Sequence, residues 1–290
     1  MLTELPGATA RIRHDGGVQT TDEPGTDRSP TAALTQWWVL TQRLIRPAWR
    51  TGEIFTALLA PVVFTIGFYV PLDLVMTVYG HGLSSYAQFL MPMIVMQAAA
   101  FCAITAAFRS ATDARDGLDL RFATLPMPRW VPFAARITVA AHRAVIAVGA
   151  ALVCGTVIGF RFYGSGWHTA AFLAFSLLIA TALCCGADLL GSVSAGPEAT
   201  TQILVLPQLI FGMVSTGFAP ASQFPSWIQV FVRNQPVSQF VDALRALAGD
   251  PTGNAGAVDL AMLGPALAWA IGILVGCGGL AWRHAARRAA

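Results

Sequence analysis

Six stretches of this chain are long and apolar enough to cross a bilayer, and together they take up most of its 290 residues. Roughly 20 mostly apolar residues make a helix that traverses about 30 Å of hydrocarbon. Ile54–Val78, Tyr86–Phe108, Val131–Phe160, Trp167–Val193, Thr200–Phe218 and Val258–Trp282 each meet that requirement or come close to it. Backbone amides find no water in lipid, so a crossing segment must be helical or part of a closed barrel. The apolar residues run continuously instead of alternating, which excludes the barrel. A chain that is 55% hydrophobic and 11% charged leaves no room for a large soluble domain. The expected fold class is an all-α integral membrane protein with six transmembrane helices.

The arginines orient it. All 18 basic residues are Arg, and positive charge collects on the cytoplasmic side of a membrane. With the N-terminus inside, Arg11, Arg13, Arg28, Arg43, Arg46 and Arg50 precede the first span. Arg109, Arg115, Arg121, Arg129 and Arg136 surround the turn between spans two and three, and Arg283, Arg287 and Arg288 end the chain. Arg161, Arg233 and Arg245 fall outside, and Arg143 lies within the third span. Both termini are therefore expected in the cytoplasm. The formal charge of +3 suits anionic lipid headgroups at the span ends and calls for no nucleic-acid partner. Cys102, Cys154, Cys184, Cys185 and Cys277 all sit inside spans, where a small apolar packing role fits better than a disulfide framework.

Residues 1–32 are rich in Gly, Thr, Pro and Asp, lack an apolar period, and are expected to be a disordered cytoplasmic segment. Over residues 33–52, Leu34, Trp37, Trp38, Leu44, Ile45 and Trp49 recur at helical spacing, with Gln42, Arg43, Arg46 and Arg50 between them. That pattern predicts an amphipathic helix in the inner headgroup layer. Residues 53–283 are then the six-helix transmembrane domain and 284–290 a cytoplasmic tail. The inner hairpin after span two is charged, with Arg109, Asp113, Arg115, Asp116, Asp119, Arg121 and Arg129. Outside, before the last span, two helices too short to cross are expected to dip into the leaflet or pack on the spans. The first runs from Pro225 to Phe231, and Pro236 opens the second. Val237, Phe240, Val241, Leu244 and Leu247 form its apolar stripe, Asp242 and Arg245 lie off it, and Gly249 stops it.

Ionisable groups at membrane depth are expensive and mark function. His142, Arg143 and Asp188 are the candidates, and an Arg143–Asp188 pair is feasible between antiparallel neighbours. Otherwise Arg143 snorkels to the inner interface and Asp188 sits at headgroup depth. A lipid-modifying enzyme would need acid, base and nucleophile at one depth, and only these three residues come near. The sequence has no Walker loop, no Gly-x-Ser-x-Gly elbow and no His-Glu-x-x-His. Its five histidines are too scattered for a metal site. No catalytic residue, metal or cofactor is expected on this chain, so a transport cycle must draw its energy from a separate subunit.

Three segments carry a family resemblance: Phe224-Pro225-Ser226-Trp227-Ile228, Asn234-Gln235-Pro236-Val237-Ser238, and Ala243-Leu244-Arg245-Ala246-Leu247-Ala248-Gly249. Together with the interfacial helix, the charged hairpin and the paired external helices, they resemble the ABC-2 type exporter permeases. Phe108-Arg109-Ser110-Ala111-Thr112-Asp113, Val157-Ile158-Gly159-Phe160-Arg161-Phe162 and Phe231-Val232-Arg233-Asn234-Gln235-Pro236 are similar to the actinobacterial daunorubicin-resistance branch. The resemblance implies a transporter in a bacterial plasma membrane, built from two permease halves, identical or homologous, and two ATPase subunits that carry ATP and Mg. It implies ATPase coupling through Arg115, Asp116, Gly117, Arg121 and Phe122 of the hairpin and Arg43 and Arg46 of the interfacial helix. Spans one, two and five would line the substrate path, with Gln202, Gln208, Phe211 and Met213 contributed by span five. Those amides could equally serve as interhelical hydrogen bonds. The implied substrate is hydrophobic: a complex lipid such as phthiocerol dimycocerosate, an anthracycline drug such as daunorubicin or doxorubicin, or another lipid or glycolipid.

Overall fold

The computed structural model describes residues 30–50, 52–79, 83–125, 127–128, 130–194 and 196–287. Residues 1–29 of the segment expected to be disordered, Arg129 of the hairpin and 288–290 of the tail lie outside the described residues. Among the described residues every regular element is a helix, as the continuous apolar runs require.

Helix α1 spans Pro30–Arg50 and α2 starts at Glu53, with Gly52 at φ 82° turning the chain between them. α1 is two-faced: Leu40 packs with Val131 and Ala135, and Trp37 Nε1 donates to Thr138 Oγ1 at 3.2 Å. Leu34, Trp38 and Trp49 stay exposed. The first span is one rod in three pieces: α2 Glu53–Phe64, a π turn Thr65–Tyr69 and α3 Val70–Tyr79. Pro61 removes one amide from the ladder, Thr65 Oγ1 donates to the Pro61 carbonyl at 2.8 Å, and the helix widens there.

Helix α4, Tyr86–Arg115, is the axle of the fold. Ser85 caps it by accepting from Gln88 N at 3.1 Å. Its 30 residues extend about 45 Å, so it outruns the hydrocarbon by about 15 Å. The sequence places the span end at Phe108, but the helix continues to Arg115. A short α5, Leu118–Ala123, follows the Asp116–Gly117 turn, and α6 is Trp130–Val157. Helix α7, Gly166–Val193, crosses α4 closely: a side chain at Gly191 would meet the Ala107 carbonyl at 2.3 Å. Beside it Ser110 Oγ donates to the Asp188 carbonyl at 2.8 Å. Small residues at such crossings let backbones approach where lipid supplies no hydrophobic drive.

Helix α8, Pro197–Met213, has 17 residues, about 26 Å, and stops a turn before the expected Phe218. Ser215 Oγ donates back to Gly212 O there, at 2.6 Å. Two short helices follow, α9 Ser226–Asn234 and α10 Pro236–Ala248, and then α11 Leu260–Arg287. Among the described residues, five helical segments are long and apolar enough to cross a membrane: Ile54–Leu74, Tyr86–Arg115, Trp130–Val157, Gly166–Val193 and Leu260–Ala281. The core lies where α4, α6, α7 and α10 meet, around Leu90, Met91, Ile94, Phe172, Phe240 and Leu244. Much of the first span (α2, the π turn and α3) and of α11 turns apolar side chains outward, among them Phe55, Ile66, Leu74, Leu260 and Val275.

Candidate functional site

A cavity of about 290 Å³ opens between α4, α7, α8, α10 and α11. Helical periodicity builds each wall: Met96, Gln97, Ala100, Ala103 and Ile104 from α4, and Leu183, Gly186, Ala187 and Leu190 from α7. Helix α8 gives Leu204, Pro207, Gln208, Phe211 and Gly212, its i, i+3, i+4, i+7 face. Apart from Gln97 and Gln208, every lining side chain is apolar. Gln208 Nε2 donates to Gln97 Oε1 at 2.8 Å, joining α8 to α4. The four span-five residues of the sequence reading therefore divide. Gln208 and Phe211 line the cavity, while Gln202 and Met213 are exposed on the other face of α8.

At the end that carries the hairpin, charges from three helices converge beside Leu44 of α1. Arg109 and Asp113 of α4, Arg136 and Arg143 of α6, and Asp188 of α7 surround a cleft of only about 20 Å³. Asp188 Oδ1 lies 3.0 Å from Arg136 Nε, both side chains largely buried. Arg143 and Asp188 do share this cleft, but Arg136 is a partner that sequence reasoning missed. It sits near the span boundary and reads there as one more cytoplasmic arginine. Paired charges of this kind orient helices against one another, and the cleft has room for little more than a water molecule.

Beyond the cleft the hairpin projects from the end of α4. Arg115 and Asp116 are exposed, 3.5 Å apart. Gly117 adopts φ 69°, the left-handed turn that starts α5 and that glycine reaches without steric penalty. Arg121 is exposed, while Phe122 packs with Trp37, Leu40, Leu44, Met127 and Val131. That cluster ties α1, α5 and the start of α6 into one unit. Arg43 and Arg46 are exposed on α1.

At the opposite end, around α10, the burial of one arginine was not foreseen. Arg245 is 9% exposed, not on a wet face of α10. Its Nη1 donates to Asp242 Oδ1 at 2.8 Å, and its Nη2 to the carbonyls of Phe89 at 3.1 Å and Thr216 at 3.0 Å. The guanidinium also stands 4.2 Å over the Phe89 ring, a favourable cation–π distance. Thr216 Oγ1 donates to Asp242 Oδ1 at 2.9 Å. Gln235 Nε2 donates to Phe211 O at 2.9 Å and Val214 O at 2.6 Å, capping the end of α8. Gln88 Nε2 donates to Arg161 O at 3.0 Å and Gly249 O at 2.6 Å. Helix α10 thus packs on the spans, one of the two placements expected of it, and is pinned to α4 and α8.

The sequence profile described as ABC-2 family transporter protein matches residues 68–283. The chain belongs to that family. The chain is 41% identical over 245 residues to the doxorubicin resistance ABC transporter permease protein DrrB of Mycobacterium tuberculosis, covering 83% of this chain and 85% of that protein. It is 28% identical over 257 residues to the probable doxorubicin resistance permease DrrC of the same species, covering 88% and 89%. The daunorubicin resistance permease DrrB1 of Streptomyces coeruleorubidus matches at 24% over 228 residues, 78% of each chain. As an ABC-2 permease the chain is a multi-pass transporter subunit rather than an enzyme, and membership implies a partner ATPase subunit. One further polar residue in this permease escaped the sequence reading. Asp73 lies in the first span, hydrogen-bonded to Tyr69, whose ring stacks on Tyr86 at 6.1 Å. Its signal was plain, a lone acid within Ile54–Val78.

Proposed function

We propose that this permease exports hydrophobic molecules of the anthracycline class across a bacterial plasma membrane, driven by ATP hydrolysed on two copies of a separate ATPase. The relatives named for doxorubicin and daunorubicin resistance support the substrate class. One structural observation carries the mechanism. Helix α4 bears the cavity wall at Gln97, Ala100 and Ala103 and, continuing unbroken, the exposed hairpin at Arg115 and Asp116. A push on the hairpin by a closing, ATP-bound partner is transmitted along one rigid rod to the cavity.

In this reading the ATPase grips Arg115, Asp116, Gly117 and Arg121, with Arg43 and Arg46 of α1 beside them and Phe122 anchoring the hairpin to α1. ATP and Mg belong to that partner. A second permease, identical or homologous, completes the transporter. Both termini face the cytoplasm, α8 with the turn after it makes the sixth crossing, and α9 and α10 form the outer cover. The spans sit among membrane lipids. A cavity of about 290 Å³ can take only part of an anthracycline and a far smaller part of a wall lipid such as phthiocerol dimycocerosate, so either would extend beyond it along the spans. The reading is tested by drug-stimulated ATP hydrolysis in nanodiscs holding both subunits. Daunorubicin raises the rate, and a purified wall lipid raises it less. Stimulation by the wall lipid alone would overturn the substrate class.

A further inference from the structure

We propose that Asp188 is a positioning residue of the transport cycle: its pair with Arg136 is the joint on which α4 and α7, moving as one body, turn against α6 and α1. The joint presupposes the transport reading, in which a separate ATPase drives the chain. It converts a push at the hairpin into movement of two cavity walls.

Helices α4 and α7 form one body because their backbones meet. A side chain at Gly191 would stand 2.3 Å from the Ala107 carbonyl and 2.9 Å from Ser110 Cβ. Ser110 Oγ donates to the Asp188 carbonyl at 2.8 Å in the same crossing. The body has two working faces. Gln97, Ala100 and Ala103 of α4, with Gly186, Ala187 and Leu190 of α7, line the cavity. Arg109 and Asp113 of α4, with Asp188 of α7, line the charged cleft. At about 3.6 residues per turn, the two sets point roughly 150° apart on each helix.

A second body lies across the cleft. Leu40 of α1, Phe122 of α5 and Val131 and Ala135 of α6 pack together, and Arg136 and Arg143 line the cleft from one face of α6. Asp188 Oδ1 stands 3.0 Å from Arg136 Nε, and Arg143 is 2% exposed beside them. The other groups of this contact, Leu44, Ala106 and Val139, supply apolar packing, which has no direction. The charged pair has direction, and it fixes how α7 sits on α6. With the joint intact, a push at the end of α4 tips the α4–α7 body about Asp188 and displaces two cavity walls. Without it, the body slides on α6 and the cavity stays as it was.

The test uses the complete transporter, permease with its ATPase, in sealed vesicles. Asp188→Asn combined with Arg136→Gln removes the pair and leaves the net charge of the cleft unchanged. Per assembled complex, drug-free ATP hydrolysis and the KM for daunorubicin are expected within about twofold of wild type, because the cavity lies on the other face. Daunorubicin moved per ATP hydrolysed is expected to fall at least about tenfold. Arg136→Lys, which keeps the charge, is expected to retain about half of the wild-type ratio or more. A purely structural role would lower hydrolysis and transport together. Spin labels at Val193→Cys on α7 and Leu209→Cys on α8, with the native cysteines replaced by alanine, read the joint without drug. Trapping the ATPase with ATP and vanadate changes their separation in the otherwise wild-type complex, and removal of the pair abolishes most of that change. Where the double variant fails to assemble, Arg136→Gln alone carries the same readouts. An unchanged drug-per-ATP ratio, hydrolysis and transport falling in proportion, no label displacement with the pair present, or the same displacement without it overturns the proposal. Displacement that needs the pair, without daunorubicin export by wild type, removes the substrate reading and leaves the joint. Export with a ratio indifferent to the pair removes the joint and leaves the transport reading.

Discussion

Two acidic groups outside the bilayer-crossing helices show how single residues hold the segments around α10 in place. Arg245 and Asp242 form a buried pair tied to Thr216 and Phe89. Removing one member of such a pair strands the other, at a penalty of roughly 3–5 kcal/mol. Arg245→Ala is therefore expected to lower the thermal unfolding temperature sharply. Arg245→Met combined with Asp242→Leu, which removes both charges, is expected to recover much of it. Equal melting of wild type and Arg245→Ala would contradict the pairing. Asp250 sits on the surface, where burial pushes its carboxyl up. The amides and hydroxyls of Ser84 and Thr252 outweigh that and hold it below the usual carboxylate range. The folded state therefore favours the ionised form. Its contribution is present above the unfolded carboxyl pKa of about 3.9 and is lost as the pH falls through the lower, folded value. Spin labels on the 83–85 and 252–254 segments should separate only in strong acid, and Asp250→Asn should separate them at neutral pH. A distance insensitive to both changes would rule the clasp out.

Among the elements, hairpin and helix ends decide coupling. Charge reversal at the exposed hairpin, Arg121→Glu with Asp116→Arg, touches no buried contact and should leave folding intact. It should weaken ATPase capture in a pull-down at least tenfold, with a wild-type affinity that falls as salt rises. Equal capture by the double variant would remove the hairpin as the docking site. The long helices were legible because lipid-length apolar runs admit one structure, and Trp37, Leu44 and Trp49 announced α1. The overrun of α4 to Arg115 was not legible. Ser110, Asp113 and Arg115 are polar, and a hydropathy reading stops where polarity begins, although the helix has no reason to. The end of α8 was hidden for the converse reason: apolar residues continue past Met213, while Ser215 turns the backbone. The burial of Arg245 was not foreseen because the stripe of Val237, Phe240, Val241, Leu244 and Leu247 leaves Arg245 on the other face, and there α4 and the turn after α8 cover it. The spacing of Asp242 and Arg245 with the small Ala243, Ala246 and Ala248 was the available signal. The cavity was half visible, through Gln208 and Phe211. Its partner Gln97 lay in span two, which the resemblance placed on the path without singling out a residue.

At the scale of the molecule, one rod links an apolar chamber in the membrane to a charged hairpin clear of it. Impermeant thiol labels should reach Ala114→Cys only from the cytoplasmic side and Asn254→Cys only from outside, as an arrangement with inner hairpin and outer cover requires. The account stands or falls on whether this permease moves its substrate with borrowed energy. Sealed vesicles holding the chain and its ATPase, with ATP supplied on the hairpin side, measure that directly by doxorubicin fluorescence. The expected result is ATP-dependent transfer of drug to the opposite side, absent when either subunit is omitted. Transfer by the permease alone at the same rate, or none with both subunits and ATP present, would contradict it.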